Sequence, residues 1–198
     1  MTLRYLTREN IEDAFTELGL AAADAGKCVD IAVYGGAAMV LTFPARPATK
    51  DVAAVALGEA AFLRQAVKQI GEARNWPQGW LNDAVKGFLS PRQRDPDALR
   101  LFRSYPSEKT CGLRVFVARP EYLLAMKCIA MRVDPAEASE DVGDIKLLIQ
   151  TLGLTAVDQV LNIVADYYPN NRIRPKTQFG VEEIMDRLAR EARDAQSV

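Results

Sequence analysis

Residues 33–55 read VYGGAAMVLTFPARPATKDVAAV, and this stretch decides which fold the chain can adopt. An apolar, strand-like segment ends at Gly35 and Gly36, and an apolar helix of about two turns follows until Pro44. A polar loop then leads into residues 50–57, KDVAAVAL, which have the composition of a second strand. This order of strand, glycine turn, helix, loop and strand predicts a mixed α/β fold.

The glycine pair lies where a strand passes into a helix, and two interpretations of it are open. Backbone N–H groups and the helix dipole at such a turn can hold a phosphate, or glycine can simply permit the tight turn. Asp51 favours the first interpretation, because a carboxylate beside a phosphate-binding turn can place Mg²⁺ against a triphosphate. Thr49 and Lys50, which open the second strand, are further candidate nucleotide ligands.

Position 53 departs from the pattern that this chemistry favours. Alternate residues of a strand point to the same face, so an Asp-x-Asp pair would present two carboxylates to the same metal. Here the pair is Asp51 and Ala53, and a methyl group binds no metal. Asp51 is therefore the predicted metal ligand, and Ala53 marks a catalytic position without its acid.

A second candidate cluster lies in LLAMKCIAMR and SEDVGDIKLL. Lys127 stands in a strongly apolar helix, either as a snorkelling lysine or as a cation that faces a cleft. Asp141 and Asp144 are three residues apart and share a helix face, either as acids near a helix N-terminus or as functional carboxylates. A cation in an apolar helix followed by two acids on one helix face favours a functional site more strongly than either feature does alone.

The remaining pattern mixes strands and helices up to residue 118 and is helical from there on. The predicted division is a core at residues 1–118 and a helical subdomain at residues 119–198 that closes a cleft. The periodicity predicts helices near residues 8–26, 59–73, 120–133, 139–152, 155–168 and 181–195, and strands near 28–34, 50–57, 99–105 and 113–118. The fold class is thus α/β (α+β), with a small mixed sheet flanked by helices.

The composition excludes several kinds of site. The chain has no histidine, which removes Ser-His-Asp and Cys-His catalysis and His-ligated zinc. A net charge of −1 gives no general attraction to nucleic acid. Three cysteines outside any C-x-x-C pair indicate reduced thiols and a cytoplasmic protein. No export signal or membrane-spanning run is expected.

The motifs GGAAMVL, RPATKDV, WLNDAV, PEYLLAMKCIAMR and EDVGDIKLL, in this order, resemble those of AbiEii-type nucleotidyltransferases. This family belongs to the polymerase-beta-like nucleotidyltransferase superfamily, and its members are often toxins of toxin–antitoxin or phage-defence systems. The resemblance covers about residues 30–152. It implies Mg²⁺-dependent transfer of a nucleotidyl group from an NTP to a hydroxyl of RNA, such as tRNA, or of a protein, with a cognate antitoxin as partner.

By the same resemblance, Gly35 and Gly36 would hold the triphosphate and Asp51 would bind Mg²⁺. Lys127, with Asp141 and Asp144, would form the second half of the site. Members carry a second acid where Ala53 stands, so this form is expected to be impaired. An engineered inactivation or a natural pseudoenzyme, such as an antitoxin or regulatory subunit, would explain the alanine, and the intact remainder of the motif favours engineering.

Two further features each have two interpretations. Arg172, Arg174 and Lys176 alternate in a stretch that is predicted to be an extended loop, where they would bind an RNA backbone or a triphosphate, or remain solvated charges. Trp76 and Trp80 would stack on a base or belong to the core.

Overall fold

A computed structural model of the chain describes residues 5–58, 60–131 and 135–196, with side chains except at residues 135–139 and 196. The fold is mixed α/β, as the sequence predicts. It divides into a first unit, Met1–Gly87 with Leu99–Ala118, and a second unit, Phe88–Ala98 with Arg119–Val198. Residues 59, 132 and 133, at the ends of two predicted helices, lie outside the described residues.

The first unit is organised by a five-stranded sheet and a separate pair of short strands. Along the chain its strands are β1 (Leu6–Thr7), β2 (Val29–Tyr34), β3 (Ala48–Thr49), β4 (Val52–Ala56), β5 (Leu81–Asn82), β6 (Leu99–Pro106) and β7 (Cys111–Ala118). The sheet order is β5-β4-β2-β7-β6, and β1 pairs with β3. Strand β2 is the middle strand of this sheet, and five of its six residues are buried; it pairs antiparallel to β4 and parallel to β7.

Three helices belong to the same unit: α1 (Arg8–Asp24), α2 (Gly35–Thr42) and α3 (Ala61–Ala73). Helix α1 begins where the sequence predicts, because Thr7 Oγ1 accepts a hydrogen bond from the Asn10 N–H at 3.3 Å. Asn10 Oδ1 in turn accepts from the Thr7 N–H at 3.3 Å. The first predicted helix and its cap are thus confirmed.

Helix α1 lies directly on the backbone of two strands at a pair of glycines. A Cβ atom added to Gly112 of β7 would be 1.8 Å from the Gly19 carbonyl oxygen of α1. A Cβ atom added to Gly19 would be 2.5 Å from the Tyr105 carbonyl oxygen of β6. Since no side chain fits at either contact, glycine on both sides allows the helix to approach the sheet this closely.

The second unit is helical throughout its described C-terminal part, as predicted. Its helices are α4 (Pro120–Ala130), α5 (Pro135–Thr151), α6 (Val157–Tyr167) and α7 (Pro175–Gln196), with a short 3₁₀ helix at Asn170–Arg172. Pro120 occupies the first turn of α4, where its missing N–H costs no helical hydrogen bond.

The segment Phe88–Ala98 folds with these helices, although the sequence assigns it to the core at residues 1–118. The Ser90 N–H donates to Tyr122 Oη at 2.8 Å, and Tyr168 Oη donates to the Phe88 carbonyl at 2.6 Å. Ser90, Tyr122 and Tyr168 are buried, so these hydrogen bonds satisfy polar groups that burial would otherwise leave unpaired. Hydrogen bonds across about 30 to 80 residues of sequence are invisible to local patterns.

Two of the three cysteines are joined in the structure, which differs from the expected set of reduced thiols. Cys28 and Cys111 form a disulfide with their Cα atoms 5.6 Å apart. Cys128 is free and fully buried, and burial raises the pKa of its thiol to about 12. Among the described residues, no helix is long and apolar enough to cross a membrane.

We expect reduction of the Cys28–Cys111 disulfide to lower the free energy of unfolding by about 2–4 kcal/mol. The bond closes a loop whose ends are 83 residues apart, so opening it increases the entropy of the unfolded chain. Denaturant melts with and without a phosphine reductant measure the difference. The variant Cys28→Ser is the control, since its curve should match the reduced protein and ignore the reductant. If the reductant does not shift the denaturation curve of the unchanged chain, the disulfide is contradicted.

Candidate functional site

The glycine turn lies between β2 and α2. Gly35 adopts φ +58°, a left-handed conformation that favours glycine, and α2 begins at that residue. Tyr34, which precedes the helix, makes no side-chain cap to it, so the N–H groups of the first turn remain as candidate donors for an anion. The predicted strand-to-helix turn is therefore present in the structure.

Thr49 packs against the second glycine of this turn. A Cβ atom added to Gly36 would be 2.5 Å from Thr49 Oγ1, so a side chain at position 36 would displace the threonine. Thr49 is buried in β3, whereas Lys50, the next residue, is exposed and lies in a bend. Of the two predicted nucleotide ligands on this segment, Thr49 lies beside the glycine turn and Lys50 extends into solvent.

Asp51 precedes strand β4 instead of belonging to it, which corrects the prediction that it is a strand residue. Lys50 and Asp51 form a bend, and β4 begins at Val52. Strand alternation therefore does not set the direction of the Asp51 carboxylate. That direction is set by a hydrogen bond to a residue of the neighbouring strand.

Asn82 of β5 holds the Asp51 carboxylate. Its Nδ2 donates to Asp51 Oδ2 at 2.6 Å, while its Oδ1 accepts from the Ala84 N–H at 3.0 Å. Asn82 is also the register partner of Ala53, because β5 runs parallel to β4 at the edge of the sheet. Asn82 is a site residue that the sequence does not indicate, since a strand of two residues leaves no periodic signal.

Ala53 lies at the centre of these groups. Its partner on β2 is Tyr34 and its partner on β5 is Asn82. A Cβ atom added to Gly35 would be 3.9 Å from the Ala53 Cβ, so the glycine turn is the neighbour of position 53. The structure thus brings the glycine turn, position 53 and the Asn82-bound carboxylate of Asp51 together within the first unit.

The metal-binding capacity of this cluster is limited to one acid. Within the part of the chain that the structure describes, no group of three or more His, Cys, Asp or Glu residues could hold a metal ion. Mg²⁺ is commonly held by one or two carboxylates together with substrate phosphates. Asp51 supplies one carboxylate, and Ala53, the register partner of Asn82, supplies none.

The other predicted site residues form a buried ion cluster within the second unit. Lys127 Nζ lies 2.9 Å from Asp141 Oδ1 and 2.8 Å from Asp144 Oδ2. The exposed fractions of the three side chains are 11%, 14% and 3%, so the cluster is largely desolvated. The lysine is therefore held by two carboxylates of its own unit.

The structure contradicts the non-functional interpretation of each part of this cluster. Lys127 does not snorkel, because its Nζ contacts carboxylates and is nearly buried. Asp141 and Asp144 are not acids of a helix N-terminus, because α5 begins at Pro135 and both lie beyond its first turn. The prediction that the two acids share a helix face is confirmed, since both reach the same lysine.

The basic stretch of the second unit is not an extended loop. Arg172 ends a 3₁₀ helix and donates from Nη1 to the Leu89 carbonyl at 2.9 Å. Lys176 lies in the first turn of α7 and donates to the Met131 carbonyl at 3.1 Å. Arg174 is exposed. Two of the three predicted phosphate-gripping cations therefore bind backbone of their own unit.

The two tryptophans belong to the core of the first unit. Both are buried, with their rings edge to face and 5.0 Å apart between centroids. Trp80 Nε1 donates to the Val67 carbonyl at 3.0 Å, so its polar atom is satisfied internally. Neither ring is available to stack on a base.

Comparisons with known proteins assign no family to the chain. No protein-family model, no curated protein and no solved structure matches the chain.

Proposed function

We propose that the first unit carries a nucleotidyltransferase site that has lost one metal-binding carboxylate at position 53. The observation that supports this most is the convergence of the glycine turn, Ala53 and Asp51 within one small region. The Cβ that Gly35 lacks would be 3.9 Å from the Ala53 Cβ, and Asn82, the register partner of Ala53, fixes the Asp51 carboxylate. A structural turn alone would not require a fixed carboxylate beside it.

In the proposed reaction, the N–H groups of the turn at Gly35 and Gly36 bind the phosphates of an NTP. Asp51 would hold Mg²⁺, which neutralises charge on the triphosphate when it is bound. Asn82 keeps the Asp51 carboxylate oriented towards this region. The acceptor, a hydroxyl of RNA, including a tRNA end, or of a protein, would bond to the α-phosphorus and lose its proton to solvent, while the α–β phosphoanhydride bond breaks and pyrophosphate leaves. A role as a toxin with a cognate antitoxin in the cytoplasm belongs to the same proposal and rests on the sequence resemblance.

Restoring the acid at position 53 tests the proposal. We expect Ala53→Asp to transfer label from at least one of the four NTPs to total cellular RNA or protein in the presence of Mg²⁺, and the present chain to give little product. The steric control is Ala53→Asn, which has nearly the same shape but no charge. The double variant Ala53→Asp, Asp51→Asn should again be inactive. Absence of product from Ala53→Asp with every NTP would refute catalysis.

A thermal melt of the same variants reports on the site without requiring the right acceptor. Two carboxylates at positions 51 and 53 repel each other unless a cation lies between them, so Ala53→Asp should melt below the present chain in EDTA. Saturating Mg²⁺ and NTP together should stabilise it, by about 2.7 kcal/mol at a ligand concentration of 100 Kd. Identical melts of the two proteins under every condition would remove position 53 from any metal site.

The second candidate is a non-catalytic binding protein that keeps the fold, as an antitoxin or regulatory subunit would. Ala53 itself favours this candidate, because a single carboxylate is a poor metal site in the absence of substrate. If the present chain binds NTP without Mg²⁺ and Ala53→Asp gains no activity, this second candidate replaces the first.

A further inference from the structure

The first unit contains a cavity that borders the proposed nucleotidyltransferase site at Asn82. Its volume is about 290 Å³, and it lies between strands β4 and β5 and helix α3. Its apolar lining includes Ala54 and Ala56 from the sheet and Leu63 and Val67 from the helix. The volume is close to the lower end of the range for small-molecule sites, so it suits one compact ligand.

The shape of this cavity follows from small side chains on β4. Ala54 and Ala56 alternate along the strand and present single methyl groups to one face. The alanines therefore leave space where larger strand residues would fill the gap between sheet and helix. Leu63 and Val67, one helical turn apart, cover the other side of this space. Aliphatic side chains thus line two opposite sides of the space, where an apolar ring would contact both.

The rim of the cavity is polar and carries an excess of positive charge. Arg64 from α3 and Lys86 line it together with Asp83 and Asn82. Lys86 is paired with Asp83, and both side chains are more than half exposed. Two cations and one carboxylate leave a formal charge of +1, which favours an anionic group on the ligand. The guanidinium of Arg64, with its planar set of donors, suits a phosphate or a carboxylate.

We propose that this cavity binds a small molecule in which a planar aromatic ring carries an anionic group. The ring would lie between the β4 alanines and α3, and the anion would face Arg64 and Lys86. A nucleoside monophosphate and an aromatic carboxylate both have this chemistry. The proposal does not rest on nucleotidyl transfer. Asn82 connects the two sites, because it lines the cavity and also holds the Asp51 carboxylate.

The test is calorimetric titration of the full chain, without Mg²⁺ or NTP, using two sets of probes at millimolar concentration. One set is the four nucleoside monophosphates, and the other is phenylacetate and indole-3-acetate. We expect one set to bind. The double variant Arg64→Ala, Lys86→Ala should weaken that binding about tenfold or more. Ala56→Leu, which places a larger side chain in the lining of the cavity, should abolish the binding.

Lys68→Ala is the matched control, because Lys68 is an exposed cation one turn from Arg64 on α3 that does not line the cavity. It should bind the probe as the unchanged chain does. Thermal melts of all variants verify that each one is folded. Failure of both probe sets to bind overturns the proposal, and so does binding that persists in the double variant and in Ala56→Leu. Neither result bears on Ala53→Asp, whose readout is labelled product.

Discussion

Gly112→Ala should destabilise the protein by more than about 4 kcal/mol, a large part of the stability of a typical domain. The new Cβ would be 1.8 Å from the Gly19 carbonyl oxygen and 2.9 Å from the Ala23 nitrogen. Both are backbone atoms of α1, so no rotamer change relieves the overlap. The helix would have to move away from the sheet, and the packing beneath α1 would be lost with it.

The matched control for Gly112→Ala is the same substitution at Gly143. Gly143 lies inside helix α5, and among the described residues a Cβ atom there would have no neighbour within 4 Å beyond the backbone of its own helix. Since alanine favours a helix interior over glycine, Gly143→Ala should stabilise by about 0.5–1 kcal/mol. Urea melts of the two variants give both values. If the free energy of unfolding of Gly112→Ala lies within about 1 kcal/mol of that of the unchanged chain, α1 does not contact the β7 backbone at Gly112.

Lys127→Ala should lower the free energy of unfolding by about 3–5 kcal/mol. The substitution leaves Asp141 and Asp144 facing each other without their cation, and Asp144 is almost fully buried. Removing the cation from a largely desolvated pair of carboxylates is strongly unfavourable, whereas a lysine that served only a phosphate would leave stability nearly unchanged. Urea melts at neutral pH measure the loss.

Two variants control the Lys127 experiment. Lys146→Ala removes a cation of α5 whose partner, Glu191, is mostly exposed, and it should cost less than about 1 kcal/mol. Adding Asp144→Asn to Lys127→Ala should recover part of the loss, because the amide carries no charge to desolvate. A Lys127→Ala protein that melts with the unchanged chain would contradict the ion cluster. Titration of the Lys127→Arg variant with NTP tests separately for a phosphate contact.

Elements with local signals could be predicted from the sequence. Helix α1 follows from its apolar spacing and from the cap at Thr7, and α4 follows from Pro120 at its start. The turn at Gly35 follows from an apolar strand that ends in two glycines. Each of these signals lies within a few residues of the feature that it specifies.

Features that depend on distant partners could not be predicted in this way. Strand β5 has two residues, and its position beside β4 is set by the sheet, so Asn82 was missed. The spacing of Asp141 and Asp144 indicates a shared helix face, but only the packing of α4 against α5 makes Lys127 their partner. The Cys28–Cys111 bond likewise follows from the parallel pairing of β2 with β7, at whose neighbouring ends the two cysteines lie.

The segment Phe88–Ala98 makes the two units interleave along the gene, with consequences for synthesis on the ribosome. The strand β7, which pairs with the central strand of the first unit, is translated after Phe88–Ala98. Tyr122 and Tyr168, to which that segment is hydrogen-bonded, are translated later still. Nascent domains often fold in order from the N-terminus. Here the first unit would form while Phe88–Ala98, which interrupts it in sequence, still lacks the tyrosines to which it is hydrogen-bonded. A gene fragment that begins at residue 119 would encode the helices without the segment that covers these tyrosines, and a fragment that ends at residue 118 would leave that segment with nothing to dock on.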